Sequence, residues 1–215
     1  MFIHPWDTAI DAAEWRAWLA ATDRFGVLAV PDRDGRAPIL VPTHFTVSGD
    51  HLLMHLARPN PVWPHVQAAT LVRLAIFGDY AYIPGYWRAR PDQPAEEGVP
   101  TSYYAAVQFE CQPRIIDDPA EKAALIAEQV ADFQPEGGHA PITAVDAPYR
   151  RMLAGVRGLR LDIVSVEAKF KYDDHKPVEH RARVSTELEA RGHGLDGSTA
   201  AQQRRRTATL GEWRG

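Results

Sequence analysis

The chain has one cysteine and three methionines in 215 residues. A lone Cys111 excludes an internal disulfide and any cysteine-based zinc site, which suits a reducing compartment. Cys111 itself reads as a small strand residue rather than a nucleophile. No surplus of positive charge exists either: 24 Lys and Arg face 28 Asp and Glu, for a net charge of −4. That balance excludes the basic face on which non-specific nucleic-acid binding rests, so any DNA contact has to be local. No apolar run approaches the roughly 18 residues a membrane span requires, and no charged segment followed by an apolar one opens the chain. A cytoplasmic protein with no membrane partner is expected. Dinucleotide-binding glycine fingerprints, phosphate loops, His-Glu-x-x-His pairs, nucleophile elbows and solenoid repeats are all missing.

What is present is ordinary globular composition, 45% hydrophobic and 24% charged, long enough to bury a real core. Asp7 is expected to cap a first helix reaching roughly Thr22. "FGVLAVPD" from Phe25, "PILVPTHFTV" from Pro38 and "HLLMHLA" from His51 are strand-like runs separated by hairpin turn chemistry. "TLVRLAIFGDYAYIP" from Thr70 reads as one long strand with a bulge at Gly78, and "VPTSYYAAVQFECQPRII" from Val99 as another. Asp118-Pro119 signals a capped helix, a short helix begins near Ala147, and "LRLDIVSVEAKFKY" from Leu159 reads as a return strand. A final helix covers roughly Val178 to Ala190. The pattern predicts at least six strands in an antiparallel barrel with helical additions, a single domain over residues 1–191 and a loosely held tail over 192–215.

Several residues have side chains suited to a ligand. In "HLARPNPVW", from His55 to Trp63, each proline pushes the residue before it out of the helical region. The resulting turn carries Arg58, Asn60 and Trp63. Arg58 suits a charge-assisted contact to an anion, while Asn60 can donate to a ligand or only hydrogen-bond its own turn. His44, His51 and His55 lie on successive strands, as a metal set or as cleft and core histidines. Tyr80, Tyr82, Tyr86 and Trp87 can stack on a planar ring or fill a core or dimer interface. Lys169 and Lys171 share a strand face, where they can reach an anion or guard an edge.

Taken in order, "HLARPNPVW", "IFGDYAYIPGYW", "VPTSYYAAVQ", "DAPYRRMLAGVRGLRLDI" and "VEAKFKYD" resemble the successive motifs of the PaiB-like family of FMN-binding split-barrel proteins, also described as negative transcriptional regulators. The resemblance covers nearly the whole chain, including "FIHPWD" and "PTHF". It implies a six-stranded split β-barrel that forms a homodimer, with FMN in clefts at the subunit interface. The candidate cofactor contacts are then His44, His55, Ala57, Arg58, Asn60, Trp63, Tyr82, Tyr103, Lys169 and Lys171. Two places depart from the family. Ser102-Tyr103 stands where relatives carry Trp-Asn, and Asp173-Asp174-His175 where they carry Ser-Gln-Asn. Two carboxylates facing an anionic ligand would repel it.

Three functions follow. A flavin-dependent oxidoreductase or flavin- and redox-responsive protein needs little acid–base machinery, because the flavin carries the chemistry, and it takes a small-molecule electron donor and acceptor. A DNA-binding regulator would have to use Arg204-Arg205-Arg206, which also reads as a solvated charged end. A degenerate, cofactor-free barrel would serve an interaction role.

Overall fold

Seven strands, rather than six, form one sheet in the order β2-β1-β5-β6-β7-β4-β3 in a computed structural model that describes residues 1–212. They are β1 Phe25–Val30, β2 Ile39–His44, β3 Thr46–Ser48, β4 His51–Ala57, β5 Val72–Ile83, β6 Thr101–Ile116 and β7 Val156–Lys171. The extra strand arises within "PILVPTHFTV". Fully buried Phe45 interrupts the run, so β2 pairs with β1 while β3 pairs with β4. Those two strands lie at opposite edges of the sheet. Only a sheet that curls round to meet itself can join its edges through one residue. This is the split β-barrel, with both hairpin turns as expected: Asp32 accepts from the Asp34 N–H at 2.8 Å beside Gly35 at φ 76°, and Gly49 turns at φ 57°.

The chain forms two compact units, one of Asp23–Ile76 with Gln108–Val166 and the other of Met1–Thr22, Phe77–Val107 and Glu167–Gly215. The strands β5, β6 and β7 each run from one unit into the other. In the strand-rich unit, helix α2 (Trp63–Ala68) follows the "HLARPNP" turn, while α4 (Pro119–Phe133) and α5 (Tyr149–Ala154) cover the sheet. The Asp118 side chain caps α4 by accepting from the Glu121 N–H at 2.8 Å, with proline at the first position as the sequence predicts. Ile116, Leu125, Ile126 and Leu153 then close over Leu53 in one apolar cluster.

The other unit holds α1 (Ala12–Ala20), α3 (Gly85–Arg88), α6 (Val178–Arg191) and α7 (Asp196–Leu210). The cap of α1 is Asp11, which accepts from the Glu14 N–H at 2.9 Å. Asp7 instead ends a short 3-10 turn and is buried. The predicted bulge is real: burial along β5 changes phase after Gly78, and Asp79 adopts φ 49°. Trp18 Nε1 donates to the Asp79 carboxylate at 2.7 Å, and Thr199 Oγ1 donates to its carbonyl at 2.7 Å. Far from a loose tail, residues 196–210 form a helix whose Thr199, Gln203 and Arg206 are buried. The last three residues of the expected tail lie outside the described residues.

Candidate functional site

Six of the ten candidate residues belong to the strand-rich unit, and there they gather in two places. The first is the turn after β4. Asn60 Oδ1 accepts from the Val62 N–H at 3.0 Å and the Asn60 N–H donates to Ala57 O at 3.0 Å, so the amide closes its own turn. Trp63 Nε1 donates to Ala57 O at 2.9 Å, which occupies that carbonyl as well.

Arg58 reaches the end of α5. Its backbone N–H donates to Gly155 O at 2.8 Å and its Nε to Ala154 O at 2.9 Å, so part of the side chain caps a helix C-terminus. Its Nη1 stands 3.6 Å from Asp117, with both side chains about half exposed. Arg157, whose guanidinium lies 5.0 Å over the Trp63 ring, also holds Asp117 through Nε at 2.8 Å. Behind them Lys122 Nζ donates to Leu153 O at 2.6 Å, and burial together with the neighbouring Arg58 charge lowers its pKa. Arg157 likewise holds the Asp117 carboxyl below its ordinary range. Three cations thus surround one exposed carboxylate, with Asp118 committed to its helix cap. A phosphate monoester suits that donor set, since forked guanidiniums bind phosphate and carboxylate alike.

The second place is a cavity of about 350 Å³ lined by His44, His55, Gln129 and Phe133. The two histidine rings meet edge-on at 5.6 Å, His44 meets Phe133 at 5.3 Å, and His55 Nδ1 lies 2.7 Å from Gln129 Oε1. Burial, and then the His55 charge, lowers the His44 pKa and favours neutral imidazole. His51 leaves this pair: its Nδ1 is 2.8 Å from Asp162 and its Nε2 is 2.9 Å from Arg160. Among the described residues no three His, Cys, Asp or Glu side chains cluster to hold a metal ion.

The other four candidates belong to the second unit. Tyr82 is 51% exposed and its carbonyl accepts from Arg191 Nη1 at 2.9 Å. Tyr103 is fully buried and donates through its hydroxyl to Asp173 at 3.1 Å, so it is a core residue. Lys169 Nζ donates to Phe2 O at 3.0 Å, and Lys171 Nζ donates to Ser102 O at 2.7 Å, both beneath the Tyr104 ring. Each lysine thus holds a backbone carbonyl, and Lys171 Nζ also donates to the Thr101 hydroxyl at 2.5 Å. The two departures from the family explain each other here: Tyr103 bonds Asp173, and Lys171 bonds the Ser102 carbonyl. Asp173 is further held by Arg88 at 2.8 Å, and Asp174 by Arg206 at 2.6 Å. Both carboxylates are buried and paired inside the unit, so neither presents a free charge.

Sequence reasoning missed Arg157, Lys122 and Asp117. Arg157 stands in "VRGLR", whose two arginines are three positions apart and so fit no strand period, and nothing in the local sequence marks Lys122 or Asp117.

The family described as "Putative FMN-binding domain" matches residues 1–165, and the chain belongs to it. The cofactor of that class is a flavin. No curated protein matches the chain. Among solved structures it is similar to the flavocytochrome Anf3 from Azotobacter vinelandii, at 16% identity over 77% of this chain and 70% of that one, with a TM-score of 0.60. It is also similar to the FAD and heme binding protein from Mycobacterium smegmatis, at 17% identity over 77% and 73%, with a TM-score of 0.59. A third is a "putative 5-nitroimidazole antibiotic resistance protein" from Bacteroides thetaiotaomicron, at 12% identity over 75% and 85%, with a TM-score of 0.58. At these identities the likenesses establish the split-barrel fold. Among the described residues no helix is long and apolar enough to cross a membrane.

Proposed function

We propose that the chain binds FMN with the phosphate at the Arg58 turn, and acts as a flavin-dependent oxidoreductase or flavin- and redox-responsive protein. One observation carries this reading. Arg58 and Arg157 converge on Asp117, whose exposed carboxylate can move aside for a phosphate that offers more acceptor oxygens to the same donors. Lys122 adds positive charge behind them, and the paired state of Asp173 and Asp174 removes the repulsion that their sequence suggests. A bound flavin supplies hydride or single-electron transfer; the protein supplies the anion site. Ala57 and Asn60 shape the turn rather than contact the ligand, and His44 with His55 lines a half-polar cavity in the same unit.

Self-association fits the exposed aromatic surface of the second unit, where Phe77, Tyr80, Tyr82 and Tyr86 are each more than half exposed. The DNA-binding regulator reading has little to rest on. Arg204 pairs with Glu189, Arg205 with Glu14 at 2.6 Å, and Arg206 with both Glu14 and Asp174 at 2.6 Å, so the triplet has no cation free for phosphates. Flavin fluorescence on titration with the purified protein tests the proposal. Saturable quenching near one FMN per chain supports it, and none at tens of micromolar returns the chain to the cofactor-free barrel.

A further inference from the structure

A second cavity, of about 340 Å³, lies wholly within the other unit, where the loop after α3 faces the start of α6. Arg88, Lys176, His180 and Arg183 line it, with Arg90, Asp92 and Glu179 also on its wall. Its volume falls at the small end of ligand pockets. Its cations are organised in an unusual way for this chain. Most arginines here hold a carboxylate, and Arg88 does so with Asp173 at 2.8 Å. Arg183 does not. All three of its contacts run through Nη2, to Ala89 O at 2.9 Å, Trp87 O at 3.4 Å and His180 Nδ1 at 3.4 Å. Its Nε and Nη1 have no partner among the described residues, and neither does the Lys176 ammonium.

The carboxylates at the wall do not cancel this. Asp92 lies 3.5 Å from Arg90, which leaves Glu179 as the one unpaired acid against Arg183 and Lys176. The Val178 N–H at the start of α6 already donates to Glu212 at 3.0 Å, so the helix terminus is not the attraction. What the cavity offers is a guanidinium fixed by backbone carbonyls with two donors left over, a free ammonium beside it, and room beyond them. A held guanidinium has lost its rotamer freedom before any ligand arrives. With Nη2 taken, the Nε–H and the Nη1 hydrogens point to different sides of the guanidinium, so each donates singly to a phosphate oxygen, and the lysine adds a point charge.

We propose that this cavity binds a small phosphomonoester, about the size of a sugar phosphate, at a site separate from the Arg58 turn and independent of flavin binding. Calorimetric titration at low ionic strength with inorganic phosphate and with ribose 5-phosphate tests it, in the Arg58→Ala background so that the turn contributes no anion site. Saturable one-site binding of ribose 5-phosphate is expected, tighter than inorganic phosphate and undisturbed by equimolar acetate. Lys176→Gln and Arg183→Ala should each weaken it about tenfold or more. Lys176→Gln forfeits no contact, so it keeps the test sound even where Arg183→Ala loosens the Ala89 loop. No saturable binding in the millimolar range, equal affinity in Lys176→Gln, or displacement by acetate would each overturn the assignment. An FMN affinity that falls with Lys176→Gln would overturn it too, because the flavin itself would then occupy this cavity.

Discussion

Replacing Asp173 by asparagine keeps the shape of the side chain, removes its charge, and should destabilise the second unit by a predictable amount. The carboxylate accepts from Arg88 Nε at 2.9 Å and Nη2 at 2.8 Å and from the Tyr103 hydroxyl at 3.1 Å. Burial acts to raise its pKa, but the His180 imidazole 3.6 Å away and the Arg88 guanidinium prevail and hold it at about 2, against an ordinary 3.8. A gap of about 2 units at ~1.4 kcal/mol each gives roughly 2–3 kcal/mol of stability from the ionised form. Because the folded pKa is depressed, that contribution is complete at pH well above 4 and is lost as pH falls through about 2. Asn tolerates the φ of 59° at this position, so no backbone strain adds to the cost. Wild type and Asp173→Asn should therefore differ by about 2–3 kcal/mol in urea unfolding at pH 7, and converge near pH 2. A difference below about 0.5 kcal/mol at pH 7, or one that persists undiminished at pH 2, would refute the charge argument.

Asp7 should show the opposite sign. Burial first of all, against the Lys169 and Lys171 charges, raises its pKa to about 6, so its contribution is favourable below about 3.8 and is lost as pH rises through 6. Asp7→Asn is expected to stabilise the protein at pH 8 relative to pH 4, by up to about 3 kcal/mol, and equal effects at both pH values would contradict this. Arg206→Ala leaves Glu14 and Asp174 buried with a cation removed and should cost about 3–5 kcal/mol, measured by thermal unfolding. A cost under 1 kcal/mol would mean that α7 is not anchored as described. Burial pushes the Cys111 thiol up to about 12, so the native protein should resist thiol-modifying reagents at pH 8 and react once unfolded.

Most of the fold was legible because local chemistry and tertiary structure agree. The Asp118-Pro119 cap, the Gly78 bulge and the two hairpin turns are each set by residues next to one another. Phe45 was not legible: a buried aromatic between two strand-forming segments looks like strand, and only the closing of the sheet makes it a corner. The tail was misjudged for the converse reason. A sequence rich in arginine, threonine and glutamine reads as solvated, but Arg206 finds Glu14 at a separation of 192 positions. Tyr103 and Asp173, 70 positions apart, looked like two independent departures and are one hydrogen-bonded pair. At the candidate site, Arg58 was found by its turn, while Arg157, Lys122 and Asp117 come from elements whose approach no local pattern encodes.

The most direct measurement is FMN affinity of wild type against Arg58→Ala, by fluorescence quenching at fixed ionic strength, with Lys176→Gln as the unaffected reference. If the guanidinium makes a charge-assisted bond to the flavin phosphate, the variant should bind FMN more weakly by roughly 1.5–3 kcal/mol, about 10- to 150-fold. Riboflavin, which has no phosphate, should bind both proteins equally. Equal FMN affinity in wild type and Arg58→Ala, with the variant still folded, would contradict the central claim and leave Arg58 only as the cap of α5.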